Sequence, residues 1–257
     1  MSHFYHKKSL GQNFLNNKKI LEKISKIKNL RNEYVVEIGP GKGSLTEFLL
    51  KEKPRVLTVI EKDKKLKPFL EKIKIKHPKN FNLIFEDALN LDFSTLTNKK
   101  IILVSNLPYN IATTLIINWI KNYENFKSLV LMVQKEVAQR LYAKTGTKFY
   151  GRTSVLTQAN ASVKEKIEVG ADNFFPKPKV TSAVIEIIPT PRKFDYESLD
   201  KVLKTCFLHR RKILKNNLKN LNSETEGKIR ECGISLSSRP QDLNPTDYIK
   251  LSKILLS

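Results

Sequence analysis

Residues 34–44 read Tyr34-Val35-Val36-Glu37-Ile38-Gly39-Pro40-Gly41-Lys42-Gly43-Ser44. An apolar, β-branched run passes directly into glycines at positions 39, 41 and 43. A backbone of that composition turns sharply and comes within contact distance of a ligand, which implies a nucleotide-type cofactor. Two familiar versions of the turn do not fit. A dinucleotide fingerprint has its third glycine three positions after the second, where Ser44 stands, and a phosphate-binding P-loop needs Gly-Lys-Ser/Thr where this chain has Gly41-Lys42-Gly43.

Outward from this turn, the apolar patterning predicts strands at Tyr34–Ile38, Val56–Ile60, Asn82–Phe85, Ile101–Ser105, Ser128–Val133, Val163–Val169 and Ser182–Ile188. Helical spacing of apolar residues marks Leu45–Lys51, Lys64–Lys76, Thr113–Lys121 and Lys135–Tyr142 between them. Strands alternating with helices define an α/β fold, a doubly wound and mostly parallel seven-stranded sheet with a Rossmann-like order. Pro189-Thr190-Pro191 breaks the pattern, and from Tyr196 to Leu256 the apolar residues keep helical spacing. The expected division is an α/β domain over 1–189 and a small helical domain over 190–257.

The chain carries 47 Lys and Arg against 25 Asp and Glu, a formal net charge of +22. Such an imbalance attracts a polyanion, with nucleic acid the first candidate and an anionic membrane the second. Cys206 and Cys232 form neither a disulfide framework nor a metal-ligand spacing, so a reducing compartment and no metal site are expected. No apolar run reaches the roughly 18 residues of a membrane span, and the first thirty residues lack a signal-peptide core. A cytoplasmic protein is the resulting expectation.

In open α/β sheets ligands bind at the carboxyl ends of the strands, and three further strand ends carry suitable groups. The second strand ends at Glu61, 22 positions beyond Gly39, where a carboxylate can take both ribose hydroxyls; Glu61-Lys62-Asp63-Lys64 also reads as a charged helix cap. The third ends at Glu86-Asp87-Ala88. The fourth ends at Asn106-Leu107-Pro108-Tyr109, whose chemistry suits an exocyclic amine. The lone pair of such an amine is delocalised into its ring and must be drawn toward tetrahedral geometry before it attacks. The Asn106 side-chain oxygen and the Leu107 carbonyl can accept its two N–H groups, Pro108 stiffens the turn, and Tyr109 offers a ring face. Alone, so short a tetrapeptide reads first as an Asn-initiated turn with a packed tyrosine.

Taken in order, Gly11-Gln12-Asn13-Phe14-Leu15, the loop from Glu37 to Thr46, Asn106–Tyr109 and Phe174-Phe175-Pro176-Lys177-Pro178-Lys179-Val180 resemble the small-subunit ribosomal-RNA adenine N6-dimethyltransferase family. Phe207…Arg210-Arg211-Lys212…Leu214 and Arg239-Pro240…Asp242-Leu243 are similar to the family's helical domain. The resemblance implies a class I S-adenosylmethionine (SAM)-dependent fold. Asn13 and Leu15 would lie at the methionine end of SAM, Gly39 and Gly41 along it, Glu61 on the ribose and Asp87 on the adenine. Asn106 would face both cofactor and target amine. Tyr109 and Phe174 would sandwich the flipped base, although by residue type alone Phe174 and Phe175 read as core.

An N6 amine inside folded RNA is reached only if its base is splayed out and captured by stacking. Most of the affinity must then come from phosphate contacts, for which the candidates are Lys7, Lys8, Lys179, Arg210, Arg211, Lys212 and Lys215. The last four sit on a stretch, Phe207–Leu218, expected to be one helix, where a solvated face is the alternative meaning. The expected partner is ribosomal RNA within a pre-formed small subunit, bound by a monomer. Two other readings stay open: a large-subunit adenine methyltransferase of the macrolide-resistance type, which shares the fold and most motifs, and an assembly checkpoint factor that acts mainly by binding.

Overall fold

Apolar runs without charge become the interior strands, because only a strand covered on both faces can be apolar at every position. The computed structural model describes residues 13–219 and 221–256. In chain order the elements begin with β1 (Phe14–Leu15), α1 (Lys18–Ser25), β2 (Tyr34–Ile38), α2 (Ser44–Lys51), β3 (Val56–Glu61), α3 (Lys67–Lys76) and β4 (Phe81–Phe85). They continue with β5 (Ile101–Asn106), α4 (Ala112–Lys121), β6 (Phe126–Gln134), α5 (Lys135–Leu141), α6 (Arg152–Asn160), β7 (Ala161–Val169), β8 (Phe174–Phe175) and β9 (Ser182–Pro189). The last four are α7 (Tyr196–Cys206), α8 (Leu214–Asn217), α9 (Ser223–Glu231) and α10 (Pro245–Leu256).

The seven-stranded sheet has the order β4-β3-β2-β5-β6-β9-β7. β2, β3, β4, β5 and β6 pair in parallel, and β9 returns antiparallel to β6. From β2 the chain therefore winds outward through β3 and β4, then crosses back to lay β5 on the opposite side of β2. That reversal opens a crevice at the carboxyl ends of β2 and β5, the place where open α/β sheets bind ligands. The expected strands and helices of this region all form, with ends shifted by up to three residues, the first turn of Lys64–Lys76 being a 3₁₀ helix. Four elements went unread, α1, β1, α6 and β8. α1 is capped by Asn17, whose side chain accepts from Lys19 and Ile20 amides, and β1 pairs with β8 in a separate two-stranded sheet, Phe14 opposite Phe175 and Leu15 opposite Phe174.

The core beneath the sheet includes Leu49, Leu57, Val59 and Leu70, all without solvent exposure. An aromatic cluster closes another part of it: Phe93 meets the Phe126 ring edge-on at 5.0 Å and the Trp119 ring at 6.0 Å. Glu186 on β9 is buried but compensated, with Lys28 at 2.6 Å and Lys166 at 2.8 Å. Edge strand β7 exposes Lys164, Glu165 and Lys166 in succession, a charge density that discourages edge-to-edge pairing.

The chain divides into two compact units, one taking the residues up to Ala138 with Lys164–Pro189, the other Gln139–Val163 with the residues from Thr190. The division differs from a single cut at 189/190, because residues 139–163 belong to the second unit. There the Tyr150 hydroxyl donates to the Leu243 carbonyl at 2.7 Å, Arg152 Nε donates to Asp200 at 2.7 Å, and the Gly146 amide donates to the Gln241 carbonyl at 2.8 Å. The single helix expected over Phe207–Leu218 also needs correction. A 3₁₀ turn at Phe207–His209 is followed by a bend and the short α8. Asn217 holds the bend: its Nδ2 donates to the carbonyls of His209, Lys212 and Ile213, and its Oδ1 accepts from the His209 amide. A side chain that satisfies this many backbone groups competes directly with helical hydrogen bonding.

Phe126→Ala is expected to lower the unfolding free energy by about 3–5 kcal/mol, the usual cost of removing a buried aromatic ring. Trp119, the only tryptophan, reports the loss as a lower urea midpoint in its own fluorescence.

Candidate active site

The crevice is a cavity lined by β1, the glycine loop and the residues that follow β3, β4 and β5. Three glycines of that loop have positive φ, +66° at Gly39, +61° at Gly41 and +88° at Gly43. Gly39 lines the cavity, and a Cβ there would meet nothing within 4 Å, so its missing side chain is space for a ligand. At Gly41 a Cβ would come 2.5 Å from Phe14 Cε1, so here the missing side chain lets β1 lie against the loop.

Glu61 leaves the end of β3 and accepts the Gly41 amide at 3.3 Å with one oxygen and the Asp63 amide at 2.8 Å with the other. Burial holds its carboxyl above the usual range, and these backbone donors offset part of the rise. The Lys62 amide is a third backbone donor to the same carboxyl. Asp87 follows β4 and receives Lys62 Nζ at 2.6 Å and the Leu89 amide at 3.0 Å, which hold it below the usual carboxylate range. Glu37, at the floor, is 2% exposed and accepts Thr46 Oγ1 at 2.6 Å. Burial pushes Glu37 up to about 8, and neighbouring Glu61 adds to the rise. Neither this buried acid nor its threonine could be singled out in the sequence, where Glu37 is one more strand residue.

Another wall of the cavity is built from β5. Ser105 Oγ donates to the Ile38 carbonyl at 2.6 Å and clamps the ends of the two switch-point strands together. Asn106 Nδ2 donates to the Asn13 carbonyl at 2.9 Å, which fixes the amide so that Oδ1 is the atom left to accept. The Leu107 amide donates to the Met132 carbonyl at 3.1 Å and sets the turn that follows. Tyr109 lines the cavity and shares a hydrogen with Ser182 Oγ at 2.6 Å. Among the described residues no histidine lines the cavity; the lining includes the acids Glu37, Glu61, Glu86 and Asp87 and the cation Lys62.

Asn13, Leu15, Gly39, Gly41, Glu61, Asp87, Asn106, Leu107 and Tyr109 thus converge on one cavity. Phe174 does not line it. Its ring is 5% exposed and sits in the hydrophobic core on the inward side of β8, opposite Leu15. Among the basic candidates, Lys179, Arg211, Lys212 and Lys215 are exposed. Lys215 pairs with Glu226 at 3.1 Å. Arg210 is turned inward: both terminal nitrogens donate at 2.7 Å, one to the Lys148 carbonyl and one to that of Thr147, so its charge closes a loop. Lys7 and Lys8 lie outside the described residues. Among the described residues no helix is long and apolar enough to cross a membrane, and no group of three or more metal-type side chains occurs.

A parallel sheet with a switch-point cavity, a glycine turn that is not a phosphate loop, and successive strand ends bearing Glu61, Asp87 and Asn106 define a class I methyltransferase fold. The family described as ribosomal RNA adenine dimethylase matches residues 3–256, and the chain belongs to it. It is 39% identical over 253 residues to the "Ribosomal RNA small subunit methyltransferase A" of Pelagibacter ubique, covering 96% of this chain and 95% of that protein. It is 37% identical to the protein of the same name from Ehrlichia ruminantium, covering 97% of each. Among solved structures it resembles a dimethyladenosine transferase from Plasmodium falciparum, with a TM-score of 0.82, 25% identity and coverage of 93% of this chain and 95% of that one. The 23S rRNA methyltransferase ErmE shares the fold at a TM-score of 0.72 and 23% identity, covering 95% of this chain and all of that one.

The folded protein keeps the Glu37 proton up to about pH 8, whereas an unfolded glutamate releases it near 4.5. The folded state therefore binds more protons between those values, and stability falls as pH rises through that window and is level beyond it. Glu37→Gln, uncharged and of the same size, should flatten this decline in guanidinium midpoints measured from pH 4.5 to 8.

Proposed function

We propose that this chain dimethylates the N6 amines of adenines in small-subunit ribosomal RNA, using SAM, on a pre-formed small ribosomal subunit. The observation that carries the reading is the Asn106 amide, whose Nδ2 is committed to the Asn13 carbonyl while Oδ1 remains to accept at the target side of the cavity. The small-subunit relatives, 36–39% identical over nearly the whole chain, favour this RNA over the large-subunit alternative.

The lining suits SAM on charge. Among the described residues Glu61, Glu86, Asp87 and Lys62 line the cavity in a chain of net charge +22, while Glu37 beneath them keeps its proton near neutral pH. A phosphate-bearing cofactor would meet repulsion there, whereas a sulfonium and an ammonium are favoured. Glu61 would take the ribose and Asp87 the adenine amine, with Asn13, Leu15, Gly39 and Gly41 along the chain of the cofactor. When bound, SAM supplies an electrophilic methyl group.

The protein's own part is orientation. Asn106 Oδ1 and the Leu107 carbonyl accept the two N–H groups of the target amine, which draws its lone pair out of the ring. Tyr109, tethered through Ser182, stacks on the base. Phe174 would supply the opposite face, and because its ring is packed behind Leu15, stacking on it requires β1 and β8 to move as RNA enters. Lys7, Lys8, Lys179, Arg211, Lys212 and Lys215 would meet phosphates, and Arg210 would shape the loop beside them.

Small subunits lacking adenine dimethylation, incubated with isotopically labelled SAM, should yield labelled N6-dimethyladenosine on digestion and mass analysis; label confined to large-subunit RNA would overturn the reading. Asn106→Ala should slow single-turnover methylation by at least about tenfold, roughly 1.4 kcal/mol of barrier, with RNA affinity unchanged.

A further inference from the structure

Side chains on a strand alternate between its faces, so consecutive rings on β8 must part company. Phe174 goes inward; Phe175 is 61% exposed. The segment that follows, Pro176-Lys177-Pro178-Lys179-Val180, exposes both lysines and Val180, and Lys177 reaches Asp172 at 2.5 Å. Both ends of this segment are fastened to the active site. At one end Phe175 lies opposite Phe14, the neighbour of the Asn13 whose carbonyl orients Asn106. At the other, Ser182 holds the Tyr109 hydroxyl. Residues 175–181 therefore run from the Asn106 side of the target position to the Tyr109 side.

A large apolar ring that stays mostly exposed at such a rim, followed by the fixed φ of Pro176 and Pro178 and by two lysines, has the composition of a single-strand stacking platform. Flipping one base also deprives its neighbours of a stacking partner. We infer that Phe175 stacks an unpaired RNA base adjacent to the adenine held in the cavity, with Lys177 and Lys179 on the flanking phosphates. Every base presents a π face, so the platform holds RNA in place without reading its sequence. This inference rests on the proposed action on RNA.

The test uses the full chain and small ribosomal subunits lacking adenine dimethylation, with their protein-free RNA for the fluorescence measurements. Phe175→Trp should show emission quenched by this RNA, while the wild-type protein, whose Trp119 is 3% exposed, should not. Phe175→Ala should raise Kd and KM for RNA roughly fivefold to a hundredfold, the range for loss of one base–aromatic stack. Its kcat at saturating RNA and its affinity for S-adenosylhomocysteine should stay at wild-type values. Phe175→Leu keeps apolar bulk without a π face and should resemble Phe175→Ala; Phe175→Trp should resemble the wild type. Absence of quenching, or leucine serving as well as phenylalanine, overturns the platform alone if the wild type binds and methylates RNA. A wild type that does neither overturns the proposed function and the platform together. Quenching by ribosomal proteins but not by RNA would reassign Phe175 to a protein contact and overturn the inference.

Discussion

The hydrogen bond from the Gly41 amide to Glu61 joins the glycine loop after β2 to the end of β3 in the wall of the cavity. It forms because β2 and β3 run parallel and in register, so the turn after one strand meets the last residue of the other. The left-handed backbone at Gly41 aims the amide, and the missing Cβ admits Phe14 above it. One buried carboxylate thereby shapes the glycine loop, and the loop in turn seats β1. The charge of the cavity follows from the same elements: the acids that follow β3 and β4 line it inside a strongly basic molecule.

The sheet was legible because its evidence is local. Strands such as Val56–Glu61 and Ile101–Asn106 are apolar at nearly every position and end at residues whose chemistry is conspicuous. The site was legible for the same reason, since Gly39, Glu61, Asp87 and Asn106 all stand at strand ends. Relations between distant positions were not legible. Asn217 breaks an expected helix through four hydrogen bonds with backbone groups that no periodicity encodes, and Arg210 spends its charge on two carbonyls of a loop some sixty residues earlier. Residues 139–163 join the second unit through Tyr150 and Arg152, again by partners far along the chain. A two-residue strand such as β8 is too short to have a period at all, so the opposite fates of Phe174 and Phe175 depend on a pairing visible only in three dimensions.

The recognition elements differ in stiffness according to their supports. Asn106 is the last residue of a central strand and has its amide fixed by Asn13. Tyr109 hangs on a single hydroxyl contact with Ser182 in the turn before α4. Phe174 is secured only by packing beneath a two-residue ladder. Under the proposed function, chemistry would fall on the most rigid support and base capture on the more compliant ones, a division that would let the site accept a bulky polymer without disturbing Asn106.

The pairing of β1 with β8 also has a consequence for biosynthesis. Phe14 and Leu15 leave the ribosome early, yet their partners Phe174 and Phe175 emerge some 160 residues later. Until then the β1 wall of the cavity lacks its pairing strand. A nascent chain that stops short of β8 can assemble the central parallel strands but not the paired β1 wall, so completion of the cavity waits on a segment made long after the strand it supports.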